Sequence, residues 1–178
     1  MQRLINWIIK QHKDTNHKYD EYLSYEFHLR MVVEAAERFE YLITHEPDKK
    51  LVILGAWGHD LIEDTRVTYN DVKKMLGETA ADIIYACTNE KGKNREERAN
   101  AKYYEGIRTT PYAVFVKLCD RISNVKYSKR MGSRMFEMYR KENAKFMESL
   151  GYLPENKDLH EYRDMFEYLI QLFEDNGS

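Results

Sequence analysis

Two stretches of this chain are too apolar to face water on any side, and they limit what it can fold into. Residues 50–64 hold Leu51, Val52, Ile53, Leu54, Ala56, Trp57, Leu61 and Ile62. Residues 110–126 hold Ala113, Val114, Phe115, Val116, Leu118, Cys119, Ile122 and Val125. Such runs belong at the centre of a core, either as buried helices or as parallel strands feeding a loop, and periodicity alone does not separate the two. Each run, however, sits inside a longer helical pattern. The expected fold class is therefore all-α, with strands at 51–55 and 113–118 in an α/β fold as the alternative.

The rest of the chain reads as helix after helix. Leu4, Ile5, Ile8 and Ile9 recur at helical spacing over 2–12. Leu29, Val32, Val33, Ala36, Phe39 and Leu42–Ile43 do so over 21–44, ending before Pro47. Thr68 with Asp71 predicts a capped helix start, and Gly77 its stop. A further helix is predicted over 80–88, then a polar, mobile loop over 89–100. Thr110-Pro111 is read as the start of the next helix, since proline is tolerated in a first turn. Helices over 133–150 and 158–174 close the chain. The sum is a bundle of about eight helices in one domain spanning 1–178, because no repeat or Gly/Pro/Ser-rich linker divides it.

Composition excludes several classes. Lys and Arg number 28 against 30 Asp and Glu, a net charge of −2, which argues against bulk nucleic-acid binding. Eight Gly and three Pro are too few for a disordered or turn-rich all-β chain. Cys87 and Cys119 each sit in an apolar run and are read as buried, reduced thiols of a cytoplasmic protein. No run approaches the length of a membrane span, and Met1 to Lys10 lacks the features of a signal peptide. Nothing in the sequence indicates an oligomer.

The two most apolar segments are also where ionisable groups intrude. His59, Asp60, Glu63 and Asp64 end the first, and Asp120 lies inside the second. A carboxylate buried without a partner costs several kcal/mol, so a cation must accompany it, either a basic side chain or a metal. On a continuous helix His59, Asp60, Glu63 and Asp64 fall within an arc of about 140° and can converge. Asp120 and Asn124, four apart, share a face. A lone His-Asp or Glu-Asp is common by chance; the combination inside two buried segments is not.

These residues resemble a family. His59-Asp60-Leu61-Ile62-Glu63-Asp64-Thr65 is similar to the H-D-x-x-E-D-T stretch of HD-domain phosphohydrolases of the SpoT and Rel type. Lys117-Leu118-Cys119-Asp120-Arg121-Ile122-Ser123-Asn124 is similar to their K-L-A-D-[RK]-x-x-N, and Tyr25-Glu26-Phe27-His28 to their Y-x-x-H. The likeness covers about residues 20–130, leaving 131–178 as C-terminal packing helices. It implies an all-α HD fold and a hydrolase that removes the 3′-pyrophosphate of guanosine 3′,5′-bis(diphosphate), ppGpp, or of pppGpp. His28, His59, Asp60 and Asp120 would bind a divalent metal, normally Mn²⁺. Glu63 and Asp64 would orient and deprotonate water, and Asn124 would contact the nucleotide. Tyr25, Arg121, Lys18, Lys93 and Arg95 are further candidates for substrate contact, with Lys91 and Arg98 beside them in the polar loop.

The chain departs from the pattern before the first ligand. Asp20-Glu21-Tyr22-Leu23-Ser24 stands where the family has a Gly-x-Pro-Tyr lead-in, Leu29 replaces a proline after His28, and the nearest basic pair is His17-Lys18. Another nucleotide (an adenosine alarmone, a deoxynucleotide or NADPH) is therefore the alternative substrate, and a non-catalytic helical regulator the alternative role.

Overall fold

The helix that fills the centre is the second apolar run. The computed structural model describes residues 1–174, so the last four positions of the expected C-terminal segment lie outside the described residues. In chain order it contains α1 (Gln2–Asp14), a short antiparallel hairpin of β1 (Lys18–Tyr19) and β2 (Leu23–Ser24), α2 (Tyr25–Phe39), α3 (Glu46–Gly58) and one-turn α4 (Leu61–Asp64). Then come α5 (Tyr69–Leu76), α6 (Glu78–Cys87), one-turn α7 (Arg95–Arg98), α8 (Ala101–Thr109), α9 (Ala113–Arg130), α10 (Arg134–Ser149) and α11 (Arg163–Glu174). Both segments of the α/β alternative are helical, which leaves the hairpin as the one sheet among the described residues.

α9 is 18 residues long, about 27 Å at 1.5 Å per residue. It packs against α2, α6, α8, α10 and α11, which is why its apolar residues run round the whole helix. Phe115, Val116, Leu118, Cys119 and Val125 are fully buried there, as are Leu29, Val32 and Ala36 on α2, Ile83 and Ile84 on α6, and Met165 and Phe166 on α11. Burying each large side chain stabilises the fold by roughly 1.5–3 kcal/mol. Cys87 and Cys119 are both buried and unbridged, and burial pushes the Cys87 thiol up to about 12. No helix among the described residues is long and apolar enough to cross a membrane.

Several boundaries differ from the sequence reading, each for a local reason. The predicted helix over 21–44 begins only at Tyr25, because Lys18 pairs with Ser24 and Tyr19 with Leu23. Asp20 and Glu21 turn that hairpin at φ of 48° and 66°, a left-handed conformation that costs L-residues of order 1 kcal/mol each. Tyr127 compensates by donating its hydroxyl proton to Asp20 Oδ2 at 2.6 Å. Thr110-Pro111 does not open a helix. α8 runs to Thr109, Tyr112 takes φ +64°, and α9 starts after it. The polar loop over 89–100 contains α7, capped by Asn94, whose side-chain oxygen accepts from Glu97 N. The Thr68–Asp71 start forms as a reciprocal capping box.

Candidate metal centre

The first apolar run does not continue through its acidic end. α3 stops at Gly58; His59 keeps helical angles, Asp60 turns away at φ −104° and ψ 5°, and α4 restarts for one turn. The four ionisable groups therefore converge through a bend and not along one helical face. α3 can bring His59 deep because Gly55 and Gly58 face α6 closely. A Cβ at those positions would lie 2.9 Å from Ile83 Cγ2 and 2.5 Å from Ile84 Cδ1.

At this bend three elements meet. His28 from α2 puts its Nε2 3.3 Å from His59 Nε2. Asp60 Oδ2 is 2.7 Å from His59 Nε2 and 3.7 Å from His28 Nε2. Asp120 from α9 brings Oδ1 to 3.4 Å from His28 Nε2 and 3.8 Å from His59 Nε2. Ligands about 2.1 Å from a six-coordinate ion stand roughly 3.0 Å apart when adjacent and about 4.2 Å when opposite, and separations of 2.7 to 3.8 Å lie close to that range. His28, His59 and Asp60 form a group that could hold an ion, and Asp120 Oδ1 lies beside both imidazoles.

The imidazole tautomer fits as well. His59 Nδ1 lies 2.9 Å from the Ala56 carbonyl oxygen. Its N–H donates there, leaving the Nε2 lone pair directed into the cluster, the outer-shell arrangement of metal-binding histidines. Two imidazoles and carboxylates, all buried to about 15% side-chain exposure or less, are a donor set for a divalent transition ion. Burial opposes charge on His59, but Asp60 and Asp120 outweigh it and raise its pKa to about 9. His59 in turn holds Asp60 below the usual carboxylate range against its own burial.

A second set of residues fixes these groups. Lys117, one turn before Asp120, donates to Asp120 Oδ2 at 2.9 Å. Burial opposes its charge, yet Asp120 keeps it protonated. Asn124 donates to Asp120 Oδ1 at 2.6 Å and accepts from the Tyr19 hydroxyl at 2.9 Å, so it braces Asp120 from within the cavity. The Tyr19 ring stacks on His28 with centroids 4.8 Å apart. Tyr25 donates its hydroxyl proton to Asp60 and stacks on His17 at 3.7 Å. Glu63 accepts from Asn89 N at 3.1 Å and from Asn89 Nδ2 at 2.8 Å. Asp64 lies 3.8 Å from His17 Nε2; burial, then Asp60 and Glu63, raise its pKa to about 7 against a hydrogen bond from Tyr25.

The cluster opens into a cavity of about 570 Å³, a size suited to a nucleotide-scale ligand. His28, Asp60, Asp120, Glu63, Asp64, Asn124, Tyr25, Arg121, Arg95 and Arg98 all border it; Lys18, Lys91 and Lys93 do not. Lys18 precedes Tyr19 on a strand, where successive side chains alternate, so Tyr19 faces in and Lys18 faces out, beside a separate small cavity. Lys93 lies exposed in the turn before α7, its backbone N–H donated to Glu97 Oε2 at 2.8 Å. Sequence reasoning passed over Tyr19, Asn89, Tyr103, Lys117, Tyr139, Glu142 and Lys145, which also line the cavity. Lys117 carried a signal, a cation inside the apolar stretch 113–119. The α10 residues carried none.

Comparison with solved structures places this architecture. Over 99% of the chain and 94% of its counterpart, at 19% identity, it superposes with a TM-score of 0.69 on a metazoan ortholog of SpoT described as hydrolysing ppGpp. The chain has the fold of a SpoT-type hydrolase. Among curated proteins it is 27% identical over 124 residues to the guanosine-3′,5′-bis(diphosphate) 3′-pyrophosphohydrolase MESH1 of Danio rerio, covering 68% of this chain and 65% of that protein. It is 27% identical over 75 residues to MESH1 of Drosophila melanogaster, 42% of each. A 3′-pyrophosphohydrolase of Aquifex aeolicus is 37% identical over 78 residues, covering 42% of this chain and 11% of that one. These matches span less than two thirds of the relatives' lengths. No protein-family model matches the chain. The sequence resemblance to SpoT-like proteins and the all-α class both agree with these findings.

Proposed function

We propose that this chain is a metal-dependent phosphohydrolase that removes the 3′-pyrophosphate of ppGpp or pppGpp, yielding GDP or GTP and pyrophosphate. The observation that carries the proposal is the convergence of His28, His59, Asp60 and Asp120 at the floor of a nucleotide-sized cavity, with Glu63 and Asp64 on its wall. The SpoT-type fold and the named activity of the similar proteins support the substrate class.

In this reading the four ligands hold a divalent ion, with Mn²⁺ proposed. When bound, such an ion acts as a Lewis acid that takes up phosphoryl charge and acidifies water. The chain's own groups do the remaining work. Glu63, clamped by both nitrogens of Asn89, orients the attacking water. Asp64, beside it on the cavity wall, accepts its proton. The water oxygen bonds to phosphorus, the bond between that phosphorus and the ribose 3′-oxygen breaks, and the 3′-oxygen leaves as a hydroxyl by taking up the proton that Asp64 accepted. Lys117 and Asn124 keep Asp120 oriented throughout.

The test is incubation of the Mn²⁺-loaded protein with a nucleotide panel, read as release of pyrophosphate and of inorganic phosphate. Turnover of ppGpp that falls at least a hundredfold in Glu63→Gln/Asp64→Asn is expected. Turnover of NADPH, an adenosine alarmone or a deoxynucleotide in its place would overturn the guanosine assignment and leave the hydrolase. Full activity in the double variant would overturn the roles given to Glu63 and Asp64, and no release from any nucleotide of the panel would overturn the hydrolase.

A further inference from the structure

At the end of the cavity formed by α7 and α10, one carboxylate lies between two guanidinium groups. Glu142 Oε1 is 3.2 Å from Arg95 Nε, and Glu142 Oε2 is 3.2 Å from Arg95 Nη2. Arg121 Nη1 approaches the same Oε2 at 3.5 Å. The two arginines differ in burial. Arg121 is 7% exposed, its guanidinium 4.1 Å from the Phe146 ring centroid and 4.7 Å from that of Tyr139. Arg95 is half exposed and sits on the one-turn α7. A second tie, Lys145 Nζ to Glu96 Oε1 at 3.1 Å, joins the same two helices.

Arg95, Arg98, Arg121 and Lys145 thus face this end of the cavity against two carboxylates, Glu96 and Glu142. A fork of two guanidinium groups matches the geometry of a phosphate as well as that of a carboxylate. The site therefore remains cationic overall, and Glu142 fills its central position.

We propose that Glu142 is a specificity-determining residue: it occupies the place that a second anionic arm of the substrate takes between Arg95 and Arg121, and so sets how strongly the cavity discriminates for such an arm. The proposal rests on the hydrolase reading for its substrate class, a nucleoside with a 3′-pyrophosphate and a separate 5′-phosphate arm. Binding of the arm displaces Glu142 from the fork. The net gain is the difference between a multiply charged phosphate and one carboxylate, with the cost of releasing the carboxylate subtracted.

The test is a comparison of guanosine 3′,5′-bis(diphosphate) with guanosine 3′-diphosphate bearing a free 5′-hydroxyl, on wild type, Glu142→Gln and Glu142→Asp. The neutral isostere leaves both arginines without an anion. The preference for the 5′-diphosphorylated compound, as a ratio of KM values, is expected to rise about tenfold, the effect of one charge removed at contact distance in a half-exposed site. The shift should lie in KM and shrink with added salt. Glu142→Asp keeps the carboxylate and should stay within about twofold of wild type, a split that loss of packing does not produce. The same ratio is measured as dissociation constants by calorimetry in the Glu63→Gln/Asp64→Asn background, where no turnover is needed. Failure of the hydrolase reading then appears as absent pyrophosphate release, and failure of the present inference as an unchanged ratio. A ratio in Glu142→Gln equal to or below wild type, equal effects of Gln and Asp, or no measurable binding of either compound to Glu142→Gln overturns the role of Glu142.

Discussion

Replacing Lys117 by Met tests whether Asp120 depends on a buried counter-charge. The pair is 2.9 Å apart with side-chain exposures of 17% and 13%, so little water is available to replace the ammonium. Removing one partner of a buried ion pair typically costs about 3–5 kcal/mol. Asp120 would keep Asn124 Nδ2 at 2.6 Å and the His28 edge at 3.4 Å, which places the loss at the lower end, about 3 kcal/mol. For a domain of this size that is a fall in Tm of about 6–12 °C. Two controls sharpen the result. Saturation with a divalent metal should recover part of the loss, because the proposed ion would sit against the same carboxylate. Lys117→Met combined with Asp120→Leu should cost far less than the two single changes added together, since no charge then stays buried. Thermal or urea unfolding in chelator and in metal measures all of these. A Lys117→Met protein within about 1 kcal/mol of wild type in chelator would refute the argument.

Tyr25→Phe removes the hydroxyl that donates to Asp60. Metal affinity should fall about tenfold, as for other outer-shell partners of ligands; an unchanged Kd by calorimetric titration contradicts the assignment. His12 is buried at 1% exposure, and burial lowers its pKa to about 3 from 6.5. Below pH 6.5 the unfolded chain takes up a proton that folded His12 refuses, so this group's contribution is complete above pH 6.5 and is lost as pH falls toward 3. Stability should drop by up to about 1.4 kcal/mol per pH unit in that window. His12→Phe should show a shallower slope between pH 6 and 4 in urea unfolding, and identical slopes would rule His12 out as a source.

The parts of the fold and site legible in sequence were those written over short spans. The apolar periodicity of α2 and α9, the Thr68 capping box and the stop at Gly77 are local patterns; the box and the stop formed where expected, and both helices formed with later starts than expected. His59, Asp60, Glu63 and Asp64 were conspicuous because charge in an apolar run needs a reason. Their convergence, however, comes from a bend at Asp60 that spacing does not encode. The hairpin was hidden because Tyr19 and Leu23 also suit a helical pattern, and only pairing across the Asp20-Glu21 turn separates the two. Lys18 was a natural candidate by charge, yet strand alternation turns it away and presents Tyr19 instead. Glu142 and Lys145 reach the cavity only through the packing of α10 on α9, a tertiary contact with no local signature.

Lys117, Asp120, Arg121 and Asn124 all stem from α9, whose remaining surface is the keystone of the core. A conservative change at Leu118 or Cys119 thus shifts, by fractions of an ångström, the rod on which these four are mounted. Such substitutions should register first as altered kinetics in a protein that still melts normally, and a screen for folded variants alone would overlook them.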